Sequence, residues 1–402
     1  MKSSSQIHHR NRYINKVEPF IGKNLIKVFT GQRRVGKSYL LFQIIEIIRT
    51  KYSEATICYI NKEDLNFDFI KTGKDLHDYV MTKKQGKTYV FIDEIQDIDG
   101  FEIGLRSLLL DEELDLYCTG SNANLLSGDI AGYLSGRYIE TVVYSLSYDE
   151  FLDFHNLKDH SNALEKYMKY GGLPYLKHLP LQDEIVFEYL KNIYSSIVYK
   201  DIINRYAIRN VRFLEQMIQF LASNTGSLFS ANKISDYLKS QKVNMGVSQV
   251  LTYIHHLSNA FLVHKVSRYD VIGKRLFETG EKYYFENIGI RNGIWGYRLE
   301  DRGKIIENIV YNHLLIWGYK VYVGVMGNEE IDFVCEKDGE KIYIQVALTI
   351  QNDNTMLREF GNLQKIKDHF PKWVISLDEM ETNSYEGIKY VNLRKFLITG
   401  LN

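Results

Sequence analysis

Cysteine is scarce. The three in the chain, Cys58, Cys118 and Cys335, lie far apart, each inside an apolar, strand-like run. That spacing excludes a cysteine-based metal site and a disulfide scaffold, and buried free thiols fit a reducing cytosol. Proline is rare as well, with four residues, and no low-complexity linker or internal repeat marks a boundary, so domain limits must come from changes of pattern. No apolar run reaches the ~18 residues of a membrane span, and the opening "MKSSSQIHHRNRYINK" has no apolar signal core. These absences point to a cytoplasmic protein with no membrane partner. Net charge is missing too: 50 Lys plus Arg balance 50 Asp plus Glu, so any nucleic-acid contact has to come from a local patch. His8 and His9 read as solvated tail residues, because nothing near them completes a metal site.

What is present is pattern. A chain of 402 residues exceeds one compact core and suits two or three domains. From Asn24 to about Val143, the runs "LIKVF", "ATICYI", "TYVFID" and "LDLYC" alternate with helical stretches. Strands apolar on both faces predict a parallel sheet covered by helices, a three-layer α/β domain. From Ser147 to about Ser223 the pattern turns helical, interrupted by "GGLP" at Gly171–Pro174. Residues 227–285 read as two helices and two β-rich runs, and residues 304–402 as a helix, a strand, a hairpin, a helix and a final strand.

The segment Gly31–Ser38, "GQRRVGKS", fits G-x-x-x-x-G-K-[ST] between a strand and a helical run, the context that gives this motif its meaning. Gly31 and Gly36 let the backbone curl so that amide N–H groups face phosphate oxygens, and the helix N-terminus adds its positive end. Lys37 would place its charge on the β- and γ-phosphates, and Ser38 would ligate Mg²⁺. The nucleotide-lining segment is Gly31, Gln32, Arg33, Arg34, Val35, Gly36, Lys37, Ser38 and Tyr39. Asp93 and Glu94 end the buried run "TYVFIDE", where Asp93 would hold the Mg²⁺ shell and Glu94 would act as general base. After "LDLYC" the polar run Thr119–Asn122 could orient the water, with Asn122 the candidate. Arg137 in "LSGRY" is a candidate finger acting on a neighbouring subunit's nucleotide, which would make the protein a homo-oligomer. "NKED" at Asn61–Asp64 matches a guanine-reading pattern, but it precedes the magnesium-binding strand instead of following it, so ATP is the expected nucleotide.

The run of motifs "TGQRRVGKS", "FIDEIQDIDGFE", "CTGSNANLLSG", "LSGRY", "YGGLPY", "KYYFENIGIRN", "IIENIVYNHLLIWGYKVYVG", "EIDFV" and "YIQVA", in this order, resembles a large bacterial and archaeal family of AAA-type ATPases related to the STAND switch ATPases. The resemblance implies an α/β fold: a P-loop three-layer α/β/α ATPase core at residues 1–146, a helical lid at 147–223, a winged helix at 224–300, and a restriction-endonuclease-like α/β domain at 301–402. The winged helix is also legible in the residues. "FSANKISDYLKS" is a short amphipathic helix with Ser230 as candidate cap. "GVSQVLTYIHHLSNAFL" is a second, with Ser248 as cap and Val250, Leu251, Ile254 and Leu257 as the buried stripe. Its outer face offers Gln249, Thr252 and His255, while Lys265, Arg268, Lys274 and Arg275 sit in or beside the wing. DNA and a protein partner therefore both remain open.

In "EIDFVCEKDGEKIYIQVAL", Asp338-Gly339 is a two-residue hairpin signal. Pairing Lys337 with Glu340 brings Asp332 opposite Gln345 and Ala347 opposite Glu330 on one face. This resembles the PD-(D/E)xK nuclease core, with Asp332 as first metal ligand and Glu307 as the additional acid of the preceding helix. Gln345 stands where that core carries a carboxylate and Ala347 where it carries lysine. Losing that cation costs roughly 10²–10³-fold in rate by analogy with other charge-stabilising groups. Lys341 lies roughly 13 Å along the strand from Gln345, and Lys365 and Lys372 cannot be placed from sequence. The expectation is an ATP-hydrolysing switch or motor acting on DNA, with a degenerate nuclease-like domain. An ATP-gated nuclease and a STAND-type scaffold for protein partners are the alternatives.

Overall fold

A computed structural model describes residues 8–126, 132, 134, 136–240, 245–351, 353–379 and 383–401. The first seven residues, part of the stretch read as lacking a signal core, lie outside them. The chain divides into two compact units, Met1–Tyr144 with Asn259–Phe261, and Ser145–Ser258 with Leu262–Asn402.

The first unit is built on five parallel strands: β1 (Ile26–Thr30), β2 (Thr56–Asn61), β3 (Thr88–Asp93), β4 (Leu114–Gly120) and β5 (Tyr138–Val142), in the order β2-β3-β4-β1-β5. Every residue of β1, β3 and β4 is buried, as a sheet covered on both faces requires. The helices Lys37–Lys51, Gly73–Lys83 and Phe101–Leu108 follow β1, β2 and β3. Apolar groups of the last two, including Leu76, Val80, Leu105 and Leu108, share one core with Ile26, Val28, Ile60, Val90 and Leu116. The edge strand β5 has no counterpart in the strands read from sequence. Its residues are mostly half-exposed, so it carries no apolar run. Inside the sheet, Lys27 of β1 is fully buried against Asp115 of β4. Asp115 also accepts the Tyr117 hydroxyl at 2.7 Å and the Gly22 N–H at 2.8 Å.

The second unit contains an eight-stranded mixed sheet: β6 (Val263–Asp270), β7 (Arg275–Phe285), β8 (Lys320–Met326), β9 (Glu329–Lys337), β10 (Glu340–Ala347), β11 (Lys372–Ser376), β12 (Asn383–Tyr385) and β13 (Ile388–Asn392). Their order is β12-β13-β11-β10-β9-β8-β6-β7. The β6–β7 hairpin, placed in a separate domain by the sequence reading, pairs in parallel with β8 through Arg268–Val323 and Tyr269–Gly324. One sheet therefore crosses the expected limit at residue 300, inside the compact unit formed by Ser145–Ser258 and Leu262–Asn402. The β9–β10 hairpin has the expected register, Glu340 opposite Lys337 through Ile344 opposite Phe333, with Asp338 and Gly339 both at positive φ as a type I′ turn demands. The helix Arg302–Ile316 packs its Ile305, Ile306, Ile309 and Val310 with Tyr284, Val323, Phe333 and Ile344 of the sheet.

"GGLP" and "ENIGIRN" are structural partners. A Cβ on Gly171 would lie 2.5 Å from Asn287 Oδ1, and one on Gly289 would lie 1.9 Å from the Tyr170 carbonyl, so both positions exclude larger residues. Fully buried Arg291 donates to the Ala222 carbonyl at 2.8 Å and to Asp301 at 2.7 Å. Two expectations for the helix pair are corrected. Ser230 does cap its helix, accepting the Lys233 N–H at 3.3 Å, but the second helix begins at Val247, which puts Ser248 inside its first turn and not at the cap. Val250, Ile254 and Leu257 are buried, whereas Leu251 is exposed. Leu251 follows Val250 directly, and one residue's rotation of about 100° turns it off the buried stripe.

Candidate nucleotide site

The C-terminal ends of β1, β4 and β3 lie side by side, because β4 pairs with both neighbours in parallel. Three loops therefore meet at one edge: Gly31–Lys37 after β1, Glu94–Asp97 after β3 and Ser121–Leu126 after β4. A crevice at the carboxyl ends of parallel strands is the usual ligand position of such a sheet.

The Gly31–Lys37 loop is held open by its backbone. Gly31, Arg34 and Gly36 have φ of 145°, 71° and 99°, and a Cβ on Gly31 would lie 2.2 Å from the Val143 carbonyl. Arg34 is a non-glycine residue in the left-handed region, a conformation that costs roughly 1–2 kcal/mol and belongs to functional loops. Val35 anchors the loop in the interior, and Arg10 donates to its carbonyl at 3.0 Å. Lys37 opens the helix Lys37–Lys51, and its Nζ donates to the loop's own Gly31 and Gln32 carbonyls at 2.9 and 3.0 Å. Gln32 is buried and donates to the Phe261 carbonyl at 2.7 Å. Arg33 pairs with Glu63 at 3.3 Å, while Arg34 and Tyr39 are exposed.

Asp93 and Glu94 stand opposite. Asp93 accepts hydrogen bonds from Thr119 Oγ1 at 2.5 Å, from the Tyr59 hydroxyl at 3.1 Å and from the Ser38 side chain. Burial raises its pKa, against the pull of the Thr119 and Ser38 hydroxyls. A buried carboxyl in contact with the P-loop serine fits a Mg²⁺ shell: the two oxygen groups that would share the ion already touch. Glu94 is 8% exposed with φ 59°. Its N–H donates to Thr119 Oγ1 at 2.9 Å, and its carboxylate accepts from the Gln96 amide. Thr119 thus fixes both acids at once. Sequence reasoning missed Thr119, Tyr59 and Gln96 in these roles, although Thr119 lay in a run already marked as polar.

Other candidates fall elsewhere. Asn122 is at the same sheet edge, with its Oδ1 accepting the Asn124 N–H at 2.9 Å to close a turn. Arg137 is exposed just before β5, whose Tyr138 pairs with Ile26 at the start of β1. It therefore sits at the sheet edge opposite the P-loop and takes no part in its own chain's site. The polar groups of "NKED" build local turns: Asn61 Oδ1 accepts the Glu63 N–H, Asp64 Oδ1 accepts the Asn66 N–H, and Lys62 donates to the Phe67 and Ile70 carbonyls.

In the second unit the three residues picked as a nuclease remnant come together, joined by a residue the sequence reading did not name. Lys282 of β7 lies 2.8 Å from Glu307, 2.6 Å from Glu330 and 3.6 Å from Asp332. Gln345 Oε1 accepts the Asp332 N–H at 2.6 Å, and Gln345 Nε2 donates to Glu359 at 2.9 Å. The three lysines weighed from sequence go elsewhere: Lys341 to Tyr269 and Glu336, Lys365 to Glu329, and Lys372 to Asp368. Burial alone would lower the Lys282 pKa, but Glu307, Asp332 and Glu330 together outweigh it and leave it raised. Asp332 is raised by burial and by the Glu307 charge.

Comparison with known proteins agrees with the first unit's geometry. Residues 23–152 match the model of an AAA domain, while residues 161–300 and 302–396 match two domains of unknown function, DUF8612 and DUF4143. An uncharacterized protein of Haemophilus influenzae is 36% identical over 399 residues, covering 97% of this chain and 98% of its own. One from Methanocaldococcus jannaschii is 28% identical over 385 residues, covering 90% and 84%. Among solved structures, the replication initiator DnaA bound to AMPPCP and single-stranded DNA aligns over 63% of this chain and 90% of its own, at 15% identity and a TM-score of 0.33. Drosophila ORC bound to AT-rich DNA and Cdc6 aligns over 70% and 88%, at 9% identity and a TM-score of 0.25. Likenesses this distant carry no functional argument. The chain belongs to the family of the Haemophilus influenzae protein, and its residues 23–152 form an AAA-type domain.

Proposed function

We propose that the protein is a Mg²⁺-dependent ATPase that works as a nucleotide-driven switch or motor on DNA, with a nuclease-like second unit that does not cleave. The observation that carries the ATPase reading is the contact of Ser38, the residue after the P-loop lysine, with Asp93, beside Glu94. The Gly31–Lys37 backbone and the helix N-terminus behind it would receive the phosphates. Lys37 would exchange its two loop carbonyls for β- and γ-phosphate oxygens. Ser38 and Asp93 would hold Mg²⁺, which supplies charge neutralisation at the phosphates. Glu94 would accept the proton of the attacking water, and Asn122 would help to orient that water. Arg137, exposed at the far edge, is free to serve a neighbouring subunit's site in a homo-oligomer.

The test of the nucleotide reading is Lys37→Ala. ATP with Mg²⁺ is expected to raise the melting temperature of the native chain and to be turned over to ADP and phosphate, and the variant should lose both. A variant that still shows the full ATP-induced shift overturns the assignment.

For the partner, a specific observation supports a second reading. Two wing cations are paired with acids, Lys265 with Glu281 at 2.8 Å and Arg275 with Asp270 at 3.6 Å. Next to Arg275, Ile272 and Leu276 are exposed, apolar groups that suit a protein partner better than a phosphate backbone. Incubating the protein with supercoiled plasmid, Mg²⁺ and ATP separates these readings. Retarded, uncut plasmid supports the DNA switch. No shift at physiological salt supports the protein-binding scaffold. Nicking that Asp332→Ala abolishes would establish the ATP-gated nuclease.

A further inference from the structure

The nuclease resemblance implies a divalent metal among Glu307, Asp332 and Gln345, and the residues present do not fit one. We propose that the Lys282 ammonium is the resident cation of the Glu307–Glu330–Asp332 cluster, a built-in substitute for the metal, so that this unit takes up no Mg²⁺ or Mn²⁺ there.

The spacing is the first argument. Lys282 Nζ stands 2.6 and 2.8 Å from Glu330 and Glu307, N–H···O hydrogen-bond spacings, and forms an ion pair with Asp332 at 3.6 Å. Mg²⁺ draws its oxygens to about 2.0–2.1 Å in a near-octahedral shell. Among the described residues, no group of three or more His, Cys, Asp or Glu is arranged to hold a metal ion. The second argument is that the donors are already committed. Glu307 Oε1 also accepts the Tyr284 hydroxyl at 2.5 Å, Asp332 Oδ2 accepts the Val346 N–H at 2.8 Å, and Gln345 is engaged at both ends. Glu359, beyond Gln345, is held by Arg358 at 2.9 Å. The third argument is burial. The Lys282 side chain is 3% exposed, and an ammonium is kept in such a place only when its charge is matched. Three carboxylates around one buried cation fulfil that condition without an added ion.

The cluster then has a mechanical role. Lys282 comes from β7, Glu307 from the helix Arg302–Ile316, and Glu330 and Asp332 from β9, so one side chain clasps three elements remote in sequence.

This inference uses the nuclease resemblance only to say where a metal is expected, and its test needs neither ATP nor DNA, so it can fail or hold independently of the ATPase reading. Mn²⁺ uptake by the nucleotide-free full chain is followed by the electron paramagnetic resonance of free Mn²⁺. The native protein and Asp332→Asn are expected to take up the same amount. Lys282→Met should take up one further equivalent, lost again in Lys282→Met combined with Asp332→Asn. An equivalent bound by the native chain and missing in Asp332→Asn overturns the proposal, as does a folded Lys282→Met that gains none. Should Lys282→Met not fold, the comparison of native chain with Asp332→Asn decides alone, and Lys282→Arg, which keeps the cation, should fold and match the native uptake.

Discussion

Glu94→Gln is the sharpest test of the chemistry assigned to the first unit. The side chain keeps its length, and its remaining carbonyl oxygen can still accept the Gln96 amide that Glu94 accepts now. The backbone N–H that binds Thr119 at 2.9 Å is untouched, so the strained φ of 59° at this residue keeps its support. What disappears is the carboxylate that would take the water's proton. Removing a positioned base typically lowers turnover ~10²–10⁴-fold, about 3–5 kcal/mol in the barrier. Nucleotide binding should survive, because Lys37, Ser38 and Asp93 are unchanged. At ATP near a hundred times its dissociation constant, binding stabilises by ~2.7 kcal/mol, and for a unit of this size that raises Tm by roughly 5–11 °C. The assay pairs phosphate release with a thermal shift in the same buffer. Turnover within threefold of the native rate, a margin of only about 0.6 kcal/mol, would refute the base assignment. Loss of the thermal shift together with turnover would show instead that Glu94 shapes the binding site.

Two further outcomes follow from buried charge. Lys27→Met should strand the Asp115 carboxylate with only the Tyr117 hydroxyl and the Gly22 N–H, at a cost of about 3–5 kcal/mol. Chemical denaturation measures it, and a change under about 1 kcal/mol, the level of an exposed pair, would mean the pair is not ionised. His264 of β6, against the Tyr311 ring at 5.8 Å, has its pKa lowered by burial from 6.5 to about 4. The unfolded chain takes that proton first, so the stabilisation is complete above pH 6.5 and is lost as pH falls towards 4, by roughly 1–3 kcal/mol for a half-buried ring. His264→Leu should flatten stability across that window, and an unchanged slope would place the sensitivity elsewhere.

How much of this was legible in the sequence depended on how local the cause was. Gly31, Lys37 and Ser38 could be recognised because a phosphate loop is a local device, with spacing and flanking elements inside a dozen residues. The β9–β10 register could be counted outward from Asp338-Gly339 because a two-residue turn admits one pairing. The cores of β1, β3 and β4 announced themselves as apolar runs. The edge strand β5 did not, since half-exposed Tyr138 and Ile139 beside exposed Glu140 form no continuous apolar run. Nothing near Arg268 says that it will pair with Val323, a partner chosen by the packing of the whole sheet. That pairing joins the β6–β7 hairpin to strands beyond residue 300 in one sheet.

Lys282 shows most clearly where reading from sequence stops. From sequence the candidates for a substitute cation are Lys341, Lys365 and Lys372, all within about 25 residues of Ala347. Lys341, Lys365 and Lys372 each have a carboxylate of their own within a few strands or turns. The lysine that reaches Asp332 sits in "EKYYFEN", fifty residues upstream, in an alternating run where its neighbours Glu281 and Tyr283 are buried as well. In sequence a buried lysine and a solvated one are the same letter, and only the carboxylates around it separate them. Those carboxylates were visible as a nuclease's metal ligands, which made their pairing with a metal the natural inference. An acidic constellation fixes the sign of the charge it needs but not the bearer. In this chain the proposed bearer is Lys282, a side chain already attached and set among the three carboxylates.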